Sequence, residues 1–219
     1  MKITFTENAN NFSPNSIPPV LEAHSIEAKS LKICVFCSSS DFVADSYFVE
    51  ARSLGELLAK LNHHLVFGGS NIGLMGALAS ATKQAGGKIT GVIPRLIFDK
   101  NIAINFADEL IVTVDLRERK AIMESMADVF IALPGGFGTL EEICEIITLK
   151  QLHCHQKPVI FINTSGYYDS FIEFFSHMVN QKFANRSANG LFFVAGSVSE
   201  ALEYAKSYRP EVPMEKWVG

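Results

Sequence analysis

Short, almost wholly apolar runs alternate along this chain with longer segments whose apolar positions recur every three to four residues. A run without polar alternation fits a strand covered on both faces, and the longer period fits a helix with one buried stripe. The pattern predicts strands over Leu31–Cys37, Leu65–Phe67, Ile89–Ile93, Leu110–Val114, Val129–Leu133, Val159–Ile162 and Leu191–Val194. Helices are predicted over Ser46–Leu61, Gly73–Ala85, Arg117–Met126, Leu140–Leu152, Tyr168–Gln181 and Val198–Tyr208, the last opening on a Ser197-x-x-Glu200 capping box. Strands separated by single helices imply crossover connections, hence an α/β fold with a doubly wound parallel sheet. Ligands of such sheets sit beyond the carboxyl ends of the strands. Residues 1–30 are polar and broken by Asn and Pro, and predict a flexible N-terminal arm; 31–208 reads as a single domain and 209–219 as a C-terminal tail.

The glycine-rich turns fall at those carboxyl ends. Pro134-Gly135-Gly136-Phe137-Gly138-Thr139-Leu140-Glu141-Glu142 follows an apolar strand and opens an amphipathic helix. Glycines admit a ligand close to the backbone, and the unpaired N–H groups at a helix start favour an anion such as a phosphate. A phosphate has no need of the two carboxylates beside it, so they suggest chemistry on what the phosphate carries. Thr139 and Glu142 also fit a capping box, worth about 1 kcal/mol without any catalysis. The sequence leaves open which glutamate does which job.

Three other segments carry candidate residues. Phe67-Gly68-Gly69-Ser70-Asn71-Ile72-Gly73-Leu74-Met75-Gly76 is a second glycine turn, read either as ligand-binding or as dictated by packing. Cys37-Ser38-Ser39-Ser40 ends the first predicted strand and offers hydroxyls to a phosphate or base. Arg117-Glu118-Arg119-Lys120 places cations near a helix start, where they oppose the dipole, so a ligand gives one reason for them and a solvated face the other.

Composition narrows the function. A net charge of −4 with scattered basic residues gives no nucleic-acid or membrane footprint. No stretch approaches the ~20 apolar residues of a membrane span, and the start lacks a secretory pattern, so a cytoplasmic protein is expected. Cys34-x-x-Cys37 lies in a strand, where residues three apart face opposite sides, so all four cysteines are read as reduced and no metal site is expected.

Taken in order, the motifs resemble those of the LOG family, the cytokinin riboside 5′-monophosphate phosphoribohydrolases, often labelled lysine decarboxylases. The family's PGGxGTxxE matches Pro134–Glu142 at every fixed position, joined by FGGSNIGLMG, Arg119-Lys120, Gly91-Val92-Ile93-Pro94 and Gln156-Lys157-Pro158. The resemblance, running from about Leu31 to Tyr208, implies a Rossmann-like fold and a homodimer or larger assembly with shared active sites. It implies hydrolysis of a purine nucleoside 5′-monophosphate, AMP or an N6-modified AMP, to free base and ribose 5-phosphate, with no cofactor. By motif match the catalytic residues are Arg119 and Glu142, with Glu141 beside it. Ser39, Gly68, Gly69, Met75, Lys120, Gly135, Gly136, Phe137, Gly138, Thr139 and Thr148 fall on nucleotide-binding positions. The chain departs from the family at Gly68-Gly69-Ser70, at Leu116-Arg117 and at Asp99–Ala103, which lacks the carboxylate usual there. Two other readings remain: a nucleotide-binding protein without turnover, and a pyridoxal-phosphate enzyme with Lys120 or Lys150 as its Schiff-base residue.

Overall fold

In a computed structural model, residues 1–5 and 30–210 are described. Among the described residues eight strands form one sheet: β1 (Lys2–Phe5), β2 (Lys32–Phe36), β3 (His64–Phe67), β4 (Lys88–Pro94), β5 (Glu109–Thr113), β6 (Val129–Ala132), β7 (Val159–Ile162) and β8 (Phe193–Ala195). Their order is β1-β5-β4-β3-β2-β6-β7-β8, and every neighbouring pair is parallel. The helices are α1 (Asp45–Lys60), α2 (Gly73–Gln84), α3 (Arg95–Phe98), α4 (Leu116–Met126), α5 (Phe137–Gln151), α6 (Asp169–Asn180) and α7 (Val198–Ser207).

Successive strand residues feed opposite faces, so two cores form. Ile33, Val35, Phe67 and Ile131 meet Leu54 and Leu58 of α1, Leu74 and Leu78 of α2 and Leu202 of α7. Cys34, Phe36, Phe130 and Phe161 meet Met123 of α4, Ile143 and Ile146 of α5 and Tyr168 at the start of α6. This is why the central strands read as unbroken apolar runs: both faces are covered. It also parts Cys34 from Cys37, which pack into different cores.

Order reverses at β2, whose neighbours are β3 on one side and β6 on the other. The crevice beyond the carboxyl ends of β2 and β6 is therefore the topological switch point, where ligands of doubly wound sheets bind.

The structure differs from the pattern reading in three places. The expected arm of residues 1–30 begins with β1, which pairs with β5 in the register Lys2↔Glu109; a four-residue alternation is too short to stand out beside polar sequence. Residues 6–29 of that arm, and 211–219 of the expected tail, lie outside the described residues. The last strand starts two residues late, because a 3₁₀ turn over Arg186–Gly190 carries on to Leu191, whose N–H donates to the Ala188 carbonyl. Helix α5 starts at Phe137, three residues before the expected Leu140.

Candidate active site

A cavity of about 480 Å³ opens at the switch point. Its floor is the end of β2 (Phe36 to Ser40), one wall is Gly68, Ser70, Ile72 and Met75, and the other is Arg119 with Gly136, Phe137, Gly138, Thr139 and Glu142. Pro94, Ile97, Ile102 and Leu116 close the far side with apolar surface.

The polar end is the start of α5. Its N-cap is Gly136 in extended conformation, and the Leu140 N–H makes an early helical bond to the Gly136 carbonyl. The first N–H groups of a helix have no carbonyl partner within it, and they carry the positive end of the dipole. Here they belong to Phe137, Gly138 and Thr139, all on the cavity wall. The capping-box expectation is thereby corrected. Thr139 stands at the third helical position rather than at the cap, and the Glu142 carboxylate goes to Arg119. Gly135 lies just behind, where a Cβ would collide with Thr139 Oγ1.

The second glycine turn is a different device. The N–H of Gly73, the first residue of α2, donates to Asp41 Oδ1 at 2.8 Å. A carboxylate of the chain itself thus occupies the anion position of this helix. Gly68 leaves room for Arg119, since a Cβ there would strike Nη2. Gly69, at φ +74°, carries the backbone past Ile93, and its carbonyl accepts from the Ile104 N–H at 2.9 Å. A Cβ on Gly76 would collide with the Asn71 carbonyl.

Arg119 and Glu142 form the charged centre. Arg119 projects from the first turns of α4, whose N-cap Asp115 accepts the N–H groups of Arg117 and Glu118 at 2.8 and 2.9 Å. That cap supplies the negative charge the run of basic residues needs. Arg119 Nε donates to the Val92 carbonyl at 2.9 Å, and Nη1 pairs with Glu142 Oε1. Both side chains are almost enclosed, at 11% and 10% exposure. Burial pushes the Glu142 carboxyl above its usual range, and the Arg119 charge opposes that rise.

The neighbouring residues point elsewhere. Lys120 binds Glu141 and, at 2.6 Å, Glu145. Glu141 is 58% exposed, so of the two motif glutamates the structure brings only Glu142 to the cavity. Lys120 and Glu145 border a smaller hollow of about 140 Å³ that shares Glu142 and Phe36 with the main one. Thr148 lies exposed further along α5, its hydroxyl donating to the Cys144 carbonyl at 2.8 Å. Of the expected residues, Ser39, Gly68, Met75, Arg119, Gly136, Phe137, Gly138, Thr139 and Glu142 line the cavity; Gly69, Lys120, Gly135, Glu141 and Thr148 do not.

Sequence reasoning passed over the apolar wall, because Pro94, Ile97, Ile102 and Leu116 carry no chemistry. An antiparallel bridge between Ser70 and Ala103, with the Asn71 N–H on the Ile102 carbonyl, folds that wall onto the glycine turn. Asp41 was missed too, having only a run of serines to mark it.

A Schiff-base lysine does not fit this site. No lysine among the described residues lines the cavity. A Schiff base starts from a neutral amine, yet although burial lowers the Lys120 ammonium, its hydrogen bonds to Glu141 and Glu145 and their charges outweigh this and raise it above its usual value.

The profile of a family described as "Possible lysine decarboxylase" matches residues 75–205. The cytokinin riboside 5′-monophosphate phosphoribohydrolase LOG5 of Arabidopsis thaliana is 39% identical over 185 residues, 84% of this chain and 81% of the relative. LOG1 of the same plant, bearing the same activity name, is 40% identical over 84% of this chain and 87% of its own length. Among solved structures, a molybdenum cofactor binding protein from Rippkaea orientalis superposes with TM-score 0.64 at 25% identity, covering 82% of this chain and 97% of that one. A molybdenum cofactor carrier protein from Chlamydomonas reinhardtii gives TM-score 0.62 at 26% identity, covering 81% and 96%.

Proposed function

The chain belongs to the LOG family of cytokinin riboside 5′-monophosphate phosphoribohydrolases, and we propose that it hydrolyses the N-glycosidic bond of a purine nucleoside 5′-monophosphate, AMP or an N6-modified AMP. The observation that carries this reading is the buried Arg119–Glu142 pair set beside a helix start in one cavity.

The 5′-phosphate docks on the N–H groups of Gly136, Phe137, Gly138 and Thr139. Ribose then lies over Glu142, and the base extends toward Pro94, Ile97, Ile102 and Leu116. As the bond between C1′ and the base breaks, its electron pair leaves with the base nitrogen, which takes up a proton. Positive charge grows on the ribose, as in other glycosidic hydrolyses. The Glu142 carboxylate stabilises that charge and orients the water that attacks C1′ and gives up a proton. Arg119 holds Glu142 in place, and its Nη2 faces the substrate over Gly68. Phosphate binding is remote from the broken bond, yet it fixes the sugar in reactive geometry. Lys120 and Thr148 lie outside this cavity and contribute at a neighbouring subunit of a homo-oligomer. Phe42 and Phe137, 98% and 93% exposed, favour such a neighbour. Four free cysteines favour a reducing, cytoplasmic setting.

Incubation with AMP, isopentenyladenosine monophosphate, GMP and CMP, with chromatography of free base and ribose 5-phosphate, tests the reading. Release from the purine nucleotides is expected, lost by about 10²-fold or more in Arg119→Ala and Glu142→Ala and largely kept in Glu141→Ala. The solved carrier proteins favour the competing reading of a binding protein without turnover. Measurable nucleotide binding with no base released would establish that reading instead.

A further inference from the structure

The turn between β6 and α5 is held by every carbonyl it owns. Leu133 accepts from the Tyr168 hydroxyl at 2.7 Å, Pro134 from the Ser38 N–H at 3.1 Å, Gly135 from the Tyr167 hydroxyl at 2.6 Å and Gly136 from the Leu140 N–H at 3.0 Å. A peptide unit is planar and trans, so its N–H points opposite to its carbonyl. Tethering the Gly135 carbonyl thus sets the direction of the Gly136 N–H, and Gly136 lines the cavity while Tyr167 does not. In a turn of two consecutive glycines the peptide between them has little else to fix it.

The two tyrosines are themselves built in. They follow the carboxyl end of β7, where Asn163 Oδ1 accepts the Tyr168 N–H and Asn163 Nδ2 donates to Asp169 Oδ1, each at 2.7 Å. Gly166 turns the chain at φ +71°, against the Asp169 carboxylate. The Tyr167 ring stands edge-on between Tyr47 of α1, 5.9 Å away, and Tyr168, 5.0 Å away. Tyr168 is enclosed in the core, whereas Tyr167 is 44% exposed, so packing does not explain its hydroxyl.

We propose that Tyr167 is a positioning residue for the phosphate. It touches neither the substrate nor Glu142. It holds the Gly135–Gly136 peptide so that the Gly136 N–H faces the phosphate before substrate arrives. This rests on the reading of the α5 turn as the phosphate site.

Tyr167→Phe removes the hydroxyl and keeps the ring between Tyr47 and Tyr168. Calorimetry with ribose 5-phosphate, ribose and adenosine, run beside AMP kinetics, separates a phosphate effect from general damage. The variant is expected to bind ribose 5-phosphate about tenfold more weakly, the weight of one hydrogen bond. Its KM for AMP rises by a similar factor while kcat and adenosine affinity hold. Equal losses for adenosine and ribose 5-phosphate, or none for either, overturn the proposal, as does a wild-type protein that binds ribose 5-phosphate no better than ribose. A wild type that releases no base refutes the hydrolase alone, because the binding comparison still decides the role of Tyr167.

Discussion

At the scale of single residues, the charged centre makes the sharpest demands. Burial raises the Glu142 carboxyl and Arg119 opposes it, while the proposed chemistry needs the carboxylate. Activity therefore falls on acidification with a midpoint above the ordinary glutamate value of about 4.3. The sign for stability is opposite. A raised folded-state value means that Glu142 contributes stability below its unfolded value and loses it as pH rises through the folded one. A kcat/KM profile checks the acid limb, and a midpoint at or below the ordinary value refutes this role for Glu142. Gly68 depends on the same pair. The methyl of Gly68→Ala would meet Arg119 Nη2 and, at 2.9 Å, Met75 Sδ. Displacing the guanidinium is expected to lower kcat/KM by about 10²-fold, with circular dichroism unchanged.

At the scale of elements, what the sequence disclosed follows from what each residue faces. Strands β6 and β7 were legible because all their residues are buried, so hydrophobicity alone marks them. The start of α5 was not, since Phe137-Gly138 gives poor helical propensity and Thr139-x-x-Glu142 mimics a cap; Arg119, distant in sequence, draws Glu142 away from that role. The second glycine turn stayed open between ligand binding and packing, because glycine spacing cannot reveal that Asp41 fills its helix start. Packing explains another glycine no motif included. A Cβ on Gly55 in α1 would lie 2.5 Å from the Leu78 carbonyl and 2.9 Å from Thr82 Oγ1 of α2. Gly55→Ala should force the two helices apart and destabilise the fold by about 1–3 kcal/mol. Urea unfolding measures this, and an unchanged midpoint would show that the helix pair yields freely.

At the scale of the whole molecule, the parallel sheet brings residues from the ends of five strands to one crevice, and the motif order already implied that meeting. Neither the far apolar wall nor the edge strand β1 was legible, the first for want of chemistry and the second for want of length. Assembly belongs to this scale as well. Phe137 is 93% exposed at the mouth of the cavity, while Lys120 and Thr148 face away from it. Sedimentation at micromolar concentration should give a dimer or larger, and a stable monomer would leave those side chains without the role proposed for them.

The carboxylate of Asp41 at the start of α2 has one further consequence. The starts of α2 and α5 both border the crevice, and a symmetric pair would accept a nucleotide in either direction. With one of them already holding a negative charge, a phosphate presented there is repelled, and discrimination comes from the rejected arrangement as much as from the accepted one. On the proposed reading the site therefore has a head and a tail, and a nucleotide bound there would deliver its sugar to Glu142 in one sense only.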